Sequence, residues 1–430
     1  MSPNLSSVKT ITACRICGGV DLKPVISLGS QALTGIFPRT QDQKISSGPL
    51  ELVRCNDEKN KAACGLLQLN HSYDLDELYG ENYGYRSSLN RSMLNHLNEI
   101  VKTIENLVIL KKDDYILDIG SNDGSLLSFY PEEKGLNLVG IDPTGIKFKD
   151  YYQQRISLIP TFFSASELCK HLGSKKMKVI TSISMFYDLE SPLQFMREVF
   201  DVLADDGVWF LEQSYMPTML STTSYDTICH EHLEYYGLKQ IKWMADLIGL
   251  KIISMSLNDT NGGSFLLGLA KNTSSLSEAG LDIKNLLMKE STIGLKTEKP
   301  YFEFTQRVKE HKEKLITFFN SIEQKGQKIL GYGASTKGNV ILQYCGISRQ
   351  QLPYIAEINQ DKFGCFTPGT LIPIISEKEA RLKSPEYFFV LPWHFRKGII
   401  EKEQYFLRNG GKLIFPLPEI EIVPVNSNVG

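Results

Sequence analysis

Residues 224–238, SYDTICHEHLEYYGL, crowd Asp226, Cys229, His230, Glu231, His232, Glu234, Tyr235 and Tyr236 into one stretch behind the apolar run VWFLEQ. A histidine flanked by carboxyl and phenol groups suits removal of a proton beside a carbonyl, with a donor at hand for the oxyanion that develops. Two other readings stand beside it. A metal site is one, although H-E-H lacks the i, i+4 histidine pair of a helical zincin. A polar cap on a buried helix end is the other.

Cys14 and Cys17 form a C-x2-C knuckle closed by Gly18 and Gly19, and Cys55 and Cys64 supply a second, wider pair. Four thiolates fit tetrahedral Zn2+, and a full set of protein ligands points to a structural ion. A redox C-x-x-C is the rival, but that motif opens a helix after a strand, a context missing here. Cys169, Cys345 and Cys365 read as core or surface thiols.

The turn in YILDIGSNDGSLLSFY sets Asp118 at a strand end, then Gly120, Asn122 and Gly124 before a helix. Glycines let the backbone pass close to a ligand, and the helix start presents N–H groups to a carboxylate or phosphate. The next strand, LNLVGIDP, ends in Asp142, placed to accept from two ribose hydroxyls. The spacing D-x-G-x-x-x-G, led by an acid, suits the cationic S-adenosylmethionine better than a dinucleotide pyrophosphate. By position, Phe163 would lie near the adenine and Ser184 near the methionine moiety. A second glycine turn, GYGASTKGN, follows the strand KILGYG; there Gly331, Gly333 and Gly338 permit close approach, and Ser335 and Lys337 are candidate contacts to a diphosphate. NAD is the rival ligand, with Glu357 in the next strand as a weak ribose signal.

The elements that must position these groups follow from patterning. Residues 1–75 combine β-like runs (LKPVISL, LLQLNHSY) with polar turns, a thin core that a metal staple would help to fold. Residues 76–272 begin with a lead-in helix in NRSMLNHLNEIVKTIENLVIL and then alternate strands and helices as a doubly wound parallel sheet, ending in a hairpin that turns at Asn261, Gly262 and Gly263. Residues 273–430 open with a charged helical stretch interrupted near Lys299 and Pro300, and continue as a second α/β unit. The expected fold class is therefore α/β: a class I methyltransferase-like Rossmann unit between a small zinc-binding domain and a second Rossmann-like domain. A formal net charge of −2 and a pI near 6.4 argue against nucleic-acid binding. No run approaches the roughly 18 apolar residues of a membrane span, and the first residues lack a signal-peptide h-region, so a cytoplasmic monomer or homodimer is expected.

Taken in order, CRICG with CGLLQL, DIGSNDG, CHEHLEYYGL with NGGSF, GYGASTKGN, FTPGTLIPI and LPWHF resemble the sugar-nucleotide C-methyltransferases that make branched deoxysugars. The resemblance covers nearly the whole chain. It implies S-adenosylmethionine-dependent methylation at C3 of a 4-keto-6-deoxy sugar on a nucleoside diphosphate, the C-terminal domain gripping the nucleotide sugar. It maps the general base onto His232, the preceding acid onto Glu231, and a family tyrosine onto Tyr83 or Tyr85. Cys229 stands where other members have Tyr, and Asp188 where they have His. Either Tyr187, Tyr235 or His230 holds the sugar oxygen instead, or the substrate and the methylated position differ. Methyl transfer to oxygen or nitrogen is the alternative reaction, and a scaffold with a dead cofactor pocket is the non-enzymatic one.

Overall fold

A computed structural model describes residues 8–58, 60, 62–79 and 84–424. Near its start, β1 (Lys9–Thr10) pairs with β5 (His71–Ser72), and β2 (Leu22–Ala32), β3 (Ser47–Cys55) and β4 (Leu67–Leu69) form an antiparallel sheet. Its fourth strand comes from far along the chain. β11 (Glu234–Tyr235) pairs with β4, giving the order β11-β4-β3-β2.

The central sheet contains β6 (Tyr115–Ile119), β7 (Asn137–Ile141), β8 (Ile156–Ile159), β9 (Met177–Ile183), β10 (Leu203–Ser214), β12 (Leu250–Asn258) and β13 (Ser264–Lys271), in the order β12-β13-β10-β9-β6-β7-β8. The five strands from β8 across to β10 run parallel, and β12 and β13 form the expected hairpin. The chain moves outward from β6 to β8 and returns beside β6 with β9, so the glycine turn after β6 lies at the topological switch point, where such sheets open a crevice.

The last sheet, β16-β15-β14-β17-β18-β19, is built from β14 (Ile329–Tyr332), β15 (Ile355–Glu357), β16 (Ile374–Ser376), β17 (Tyr387–Val390), β18 (Lys412–Phe415) and β19 (Glu421–Val423). All pairs are parallel except β18 with β19. Here too the glycine turn follows a strand, β14, flanked on both sides by later ones.

The lead-in helix is shorter than its periodicity suggests, Arg91–Leu107, starting where the Asn90 side chain accepts from Ser92 N. The charged stretch divides into helices Gly280–Ile293 and Lys299–Gln324; Gly294 ends the first in a left-handed conformation, and Pro300 occupies the first turn of the second, which needs no N–H there. The N-terminal sheet packs against both larger bodies. Ile26, Leu50, Leu52 and Leu69 share a core with Phe304, Val308 and the last sheet, whereas Cys14, Ile16, Cys64 and Leu66 pack into the central one with Trp209, Tyr236 and Ile241. The module is wedged between both larger bodies and stabilised by each. Among the described residues, no helix is long and apolar enough to cross a membrane.

Candidate functional site

The four cysteines converge. Their sulfurs lie within 4.8 Å of one another, with Cys14 and Cys64 3.4 Å apart and Cys17 and Cys55 3.5 Å apart. A disulfide needs about 2.05 Å, whereas a tetrahedral zinc–thiolate centre puts sulfurs about 3.8 Å apart. Gly18 N donates to Cys14 O, and the missing side chain of Gly19 makes room for the sulfurs: a Cβ there would meet Cys55 Sγ at 3.3 Å and Cys17 Sγ at 3.4 Å. Donor set and cradle both fit zinc, and the wide spacing of the second pair is closed by the β3–β4 hairpin.

Around the turn after β6, Asp118 is buried with Thr181 Oγ1 donating to it at 2.6 Å. Burial pushes its carboxyl up to about 7; the Thr181 bond opposes this, and the nearby Asp142 and Asp123 carboxylates add to it. Asp142 accepts from Asn122 N (2.7 Å), Thr144 N (2.6 Å) and Thr144 Oγ1 (2.6 Å), so its first task is to pin the turn. Gly120 and Gly124 adopt φ of +76° and +73°; a Cβ would meet Met185 at 3.2 Å in one case and the Tyr152 ring at 2.9 Å in the other. Three carboxylates with no cation among the neighbours that shift Asp118 make a pocket suited to a sulfonium or ammonium group. The segment before the lead-in helix straps this turn: Ser87 N and Ser88 N donate to Asn122 and Asp123, and Asn122 Nδ2 donates to Tyr85 O. The Tyr85 side chain is exposed; Tyr83 lies outside the described residues. Phe163 stacks edge-on against Phe195 in a groove with Leu189, Glu190 and Gln194, whose lining includes no residue of the glycine turn.

The histidine-rich segment divides by direction. His230 turns into the N-terminal sheet, fully buried, with Nε2 3.4 Å from Gly48 O, Nδ1 3.5 Å from Thr34 Oγ1 and its ring edge-on to Tyr73. It points away from the cavity that His232 lines, and shares the Thr34 hydroxyl with Glu231. Glu231 is buried, accepts from Thr34 Oγ1 at 3.4 Å and is held above the usual carboxylate range by that burial. His232 Nδ1 lies 3.0 Å from Thr227 O. A carbonyl only accepts, so Nδ1 carries the proton and Nε2 the lone pair. Burial, reinforced by the Lys337 ammonium, lowers His232 to about 3. Tyr187 places its ring 4.3 Å from that of His232, and both line a small cavity with Ser214, Thr227, Glu234 and Tyr235. The Tyr235 hydroxyl, at the same cavity, donates to the same Thr227 carbonyl at 3.2 Å. Cys229 is a buried thiol pushed up by burial, and Asp188 is held well above the carboxylate range by burial, opposed by a hydrogen bond from Tyr79 and reinforced by Glu231.

Lys337 has a protein partner of its own. It turns toward the central body, donating to Asn261 O at 2.9 Å; burial holds its ammonium below the usual lysine range, and the Asp226 carboxyl opposes that shift. Ser335 caps the helix Thr336–Cys345, its Oγ accepting from Gly338 N, and a Cβ on Gly333 would strike Pro392 at 2.6 Å. Glu357 is spent on Ala334 N, Ile358 N and Asn359 N.

Three successive family matches span this arrangement: a zinc binding domain over residues 14–79, a methyltransferase domain over 86–255 and a C-methyltransferase C-terminal domain over 259–418. The protein is similar to the C-methyltransferase NovU of Streptomyces niveus, 28% identical over 426 residues that cover 98% of this chain and 99% of that one. The chain is an S-adenosylmethionine-dependent C-methyltransferase. Among solved structures, the plantazolicin methyltransferase BpumL with S-adenosylhomocysteine matches 42% of the C-methyltransferase and 84% of its own chain (TM-score 0.34, 14% identity). A Haloferax volcanii complex of the Trm112 activator with a methyltransferase matches 43% and 94% (TM-score 0.35, 13% identity).

Several site groups of this C-methyltransferase escape sequence reasoning. Trp393 Nε1 donates to buried Asp226 at 2.7 Å, and His394 is near enough to Lys337 to be held below its usual range, mainly by burial. Asn261 joins the loop after β9 to the second glycine turn, its Nδ2 donating to Ser184 Oγ at 3.1 Å while its carbonyl accepts from Lys337. Ser184 and Asn261 both have positive φ, +56°. Non-glycine residues in that region are uncommon and cluster at functional turns. The NGGSF and LPWHF runs were the available signal.

Proposed function

We propose that this C-methyltransferase methylates the carbon beside the ketone, C3, of a nucleoside-diphosphate-linked 4-keto-6-deoxy sugar, with His232 as general base. The observation that carries the reading is His232 itself: tautomer set by Thr227, Nε2 lone pair available, neutral at ordinary pH. Asp118, Gly120, Asn122, Gly124, Asp142 and Ser184 would hold S-adenosylmethionine, which supplies the electrophilic methyl. Tyr187, beside His232, and Asp188, whose carboxyl burial holds well above its usual range, are the candidate donors to the ketone oxygen, in the way a buried carboxyl can serve an oxyanion. Glu231 stands behind the base as its adjacent acid. Gly333, Ser335 and Lys337 form the diphosphate side of the cleft: the Lys337 ammonium commits one of its three donors to Asn261. A diphosphate offsetting that charge would raise His232 toward a working basicity. In this reading the chain divides into modules 1–75, 76–272 and 273–430.

The test is a panel of nucleotide keto-sugars assayed with methyl-labelled S-adenosylmethionine, with His232→Ala as control. Label appears on carbon, and the acidic sugar proton exchanges with deuterated solvent in the parent but not in the variant. Methyl on oxygen or nitrogen without exchange, or a fully active His232→Ala, overturns the proposal.

A further inference from the structure

The cysteine-bearing module grips the loop that carries His232 at several points. Leu69 N donates to Leu233 O at 2.8 Å, and Glu234 and Tyr235 pair with Gln68 and Leu67 as the fourth strand of that sheet. Glu231 meets Thr34, and His230 meets Gly48 and Tyr73. From the central body, Leu233 N is tied to Tyr187 O at 2.7 Å.

One side chain joins this grip to the knuckle. Arg15 stands between Cys14 and Cys17, its own N–H donating to Gln68 Oε1 at 3.1 Å. Its guanidinium, 3% exposed, donates to Leu69 O (2.6 Å), His71 O (3.0 Å) and Ser72 Oγ (2.9 Å). Its Nε, without a hydrogen-bond partner among the described residues, faces Glu234 at 3.7 Å and Glu190 at 3.8 Å. Glu234 is itself buried and lines the cavity beside His232. A planar fork holding three acceptors is geometry that lysine cannot reproduce.

We propose that Arg15 is a positioning residue through which the four-cysteine site sets the register of β4 against β11, and so the place of His232. The module then acts on the reaction without touching either ligand. Its role as a positioner of the base rests on the reading of His232 given above, but the contact chain does not.

Amide hydrogen exchange of the full chain tests this without turnover, so a wrong substrate or base leaves the result readable. Arg15→Met keeps all four cysteines and should keep its zinc. Residues 228–236 should then exchange at least about tenfold faster, the factor expected on losing hydrogen bonds to a charged group, while residues 115–142 and affinity for S-adenosylmethionine stay unchanged. Chelating the zinc from the parent should give the same local pattern. With an accepted substrate, kcat should fall while KM for S-adenosylmethionine holds, and Arg15→Lys should rescue little. Unchanged exchange over 228–236 in zinc-loaded Arg15→Met, or acceleration spread equally over 115–142, overturns the proposal. If Arg15→Met does not fold, Arg15→Lys is read instead: faster exchange confined to 228–236 supports the chain of contacts, and parental exchange refutes it.

Discussion

The two glycine turns use one device to opposite electrostatic ends. After β6, Asp142 at the end of the neighbouring strand accepts from Asn122 N at 2.7 Å; after β14, Glu357 in the same relative place accepts from Ala334 N at 2.7 Å. Each acid pins a turn at a switch point. Around the first stand Asp118, Asp123 and Asp142, a surplus of negative charge. Around the second stand Lys337, held to Asn261, and Lys362, whose Nζ donates to Ala334 O at 2.8 Å. Backbone geometry alone thus does not choose the ligand. The side chains brought next to it do, a cation being favoured at the first turn and an anion at the second.

Removing His232 separates binding from reaction most sharply. His232→Ala should retain affinity for both ligands by calorimetry yet lose about 10²–10⁴ in kcat, the usual worth of a positioned base. Asp118→Asn strips charge from the first turn while keeping the Thr181 bond; affinity for S-adenosylmethionine should fall about ten- to a hundredfold, with nucleotide-sugar affinity intact. Lys337→Met tests the second turn. Nucleoside-diphosphate affinity should drop about tenfold, and His232, freed from a neighbouring positive charge, should titrate higher by NMR.

Asp118 also sets a pH signature. Its folded value of about 7 lies above that of an unfolded carboxyl, so between about pH 4 and 7 the folded state binds the extra proton, and this group's contribution to stability declines as pH rises. Binding of a cation has the opposite sign, because it needs the carboxylate. Affinity for S-adenosylmethionine should weaken up to about tenfold from pH 8 to pH 6, and a flat profile would break the contrast between the turns. The smallest effect is local: Gly333→Ala, at φ +79° against Pro392, should cost about 1–2 kcal/mol in denaturant unfolding.

Much of this was legible in one dimension. The cysteine quartet, DIGSNDG with Asp142, and the hairpin at Asn261 are local patterns whose chemistry survives translation into space. The directions of side chains were not: His230 and His232 are two residues apart, yet one faces the N-terminal sheet and the other the cavity. Lys337 and Tyr235 carry the right groups for a substrate, but their partners, Asn261 and Thr227, lie on other elements or across a turn. Nothing local marks Trp393 as the donor to Asp226, nor Arg15 as more than the residue inside a knuckle.

Residue types and their spacing determined three modules, the ligand set of the metal, and the two turns, because each depends on neighbours within a few positions or on hydrophobic periodicity. Tertiary structure alone decided that β11 completes the N-terminal sheet, that the module's core is shared with both larger bodies, and that Asn261 ties the loop after β9 to Lys337 of the second turn. Those are contacts between distant parts of the chain, and they arise from burying polar groups that must each find a partner once water is excluded.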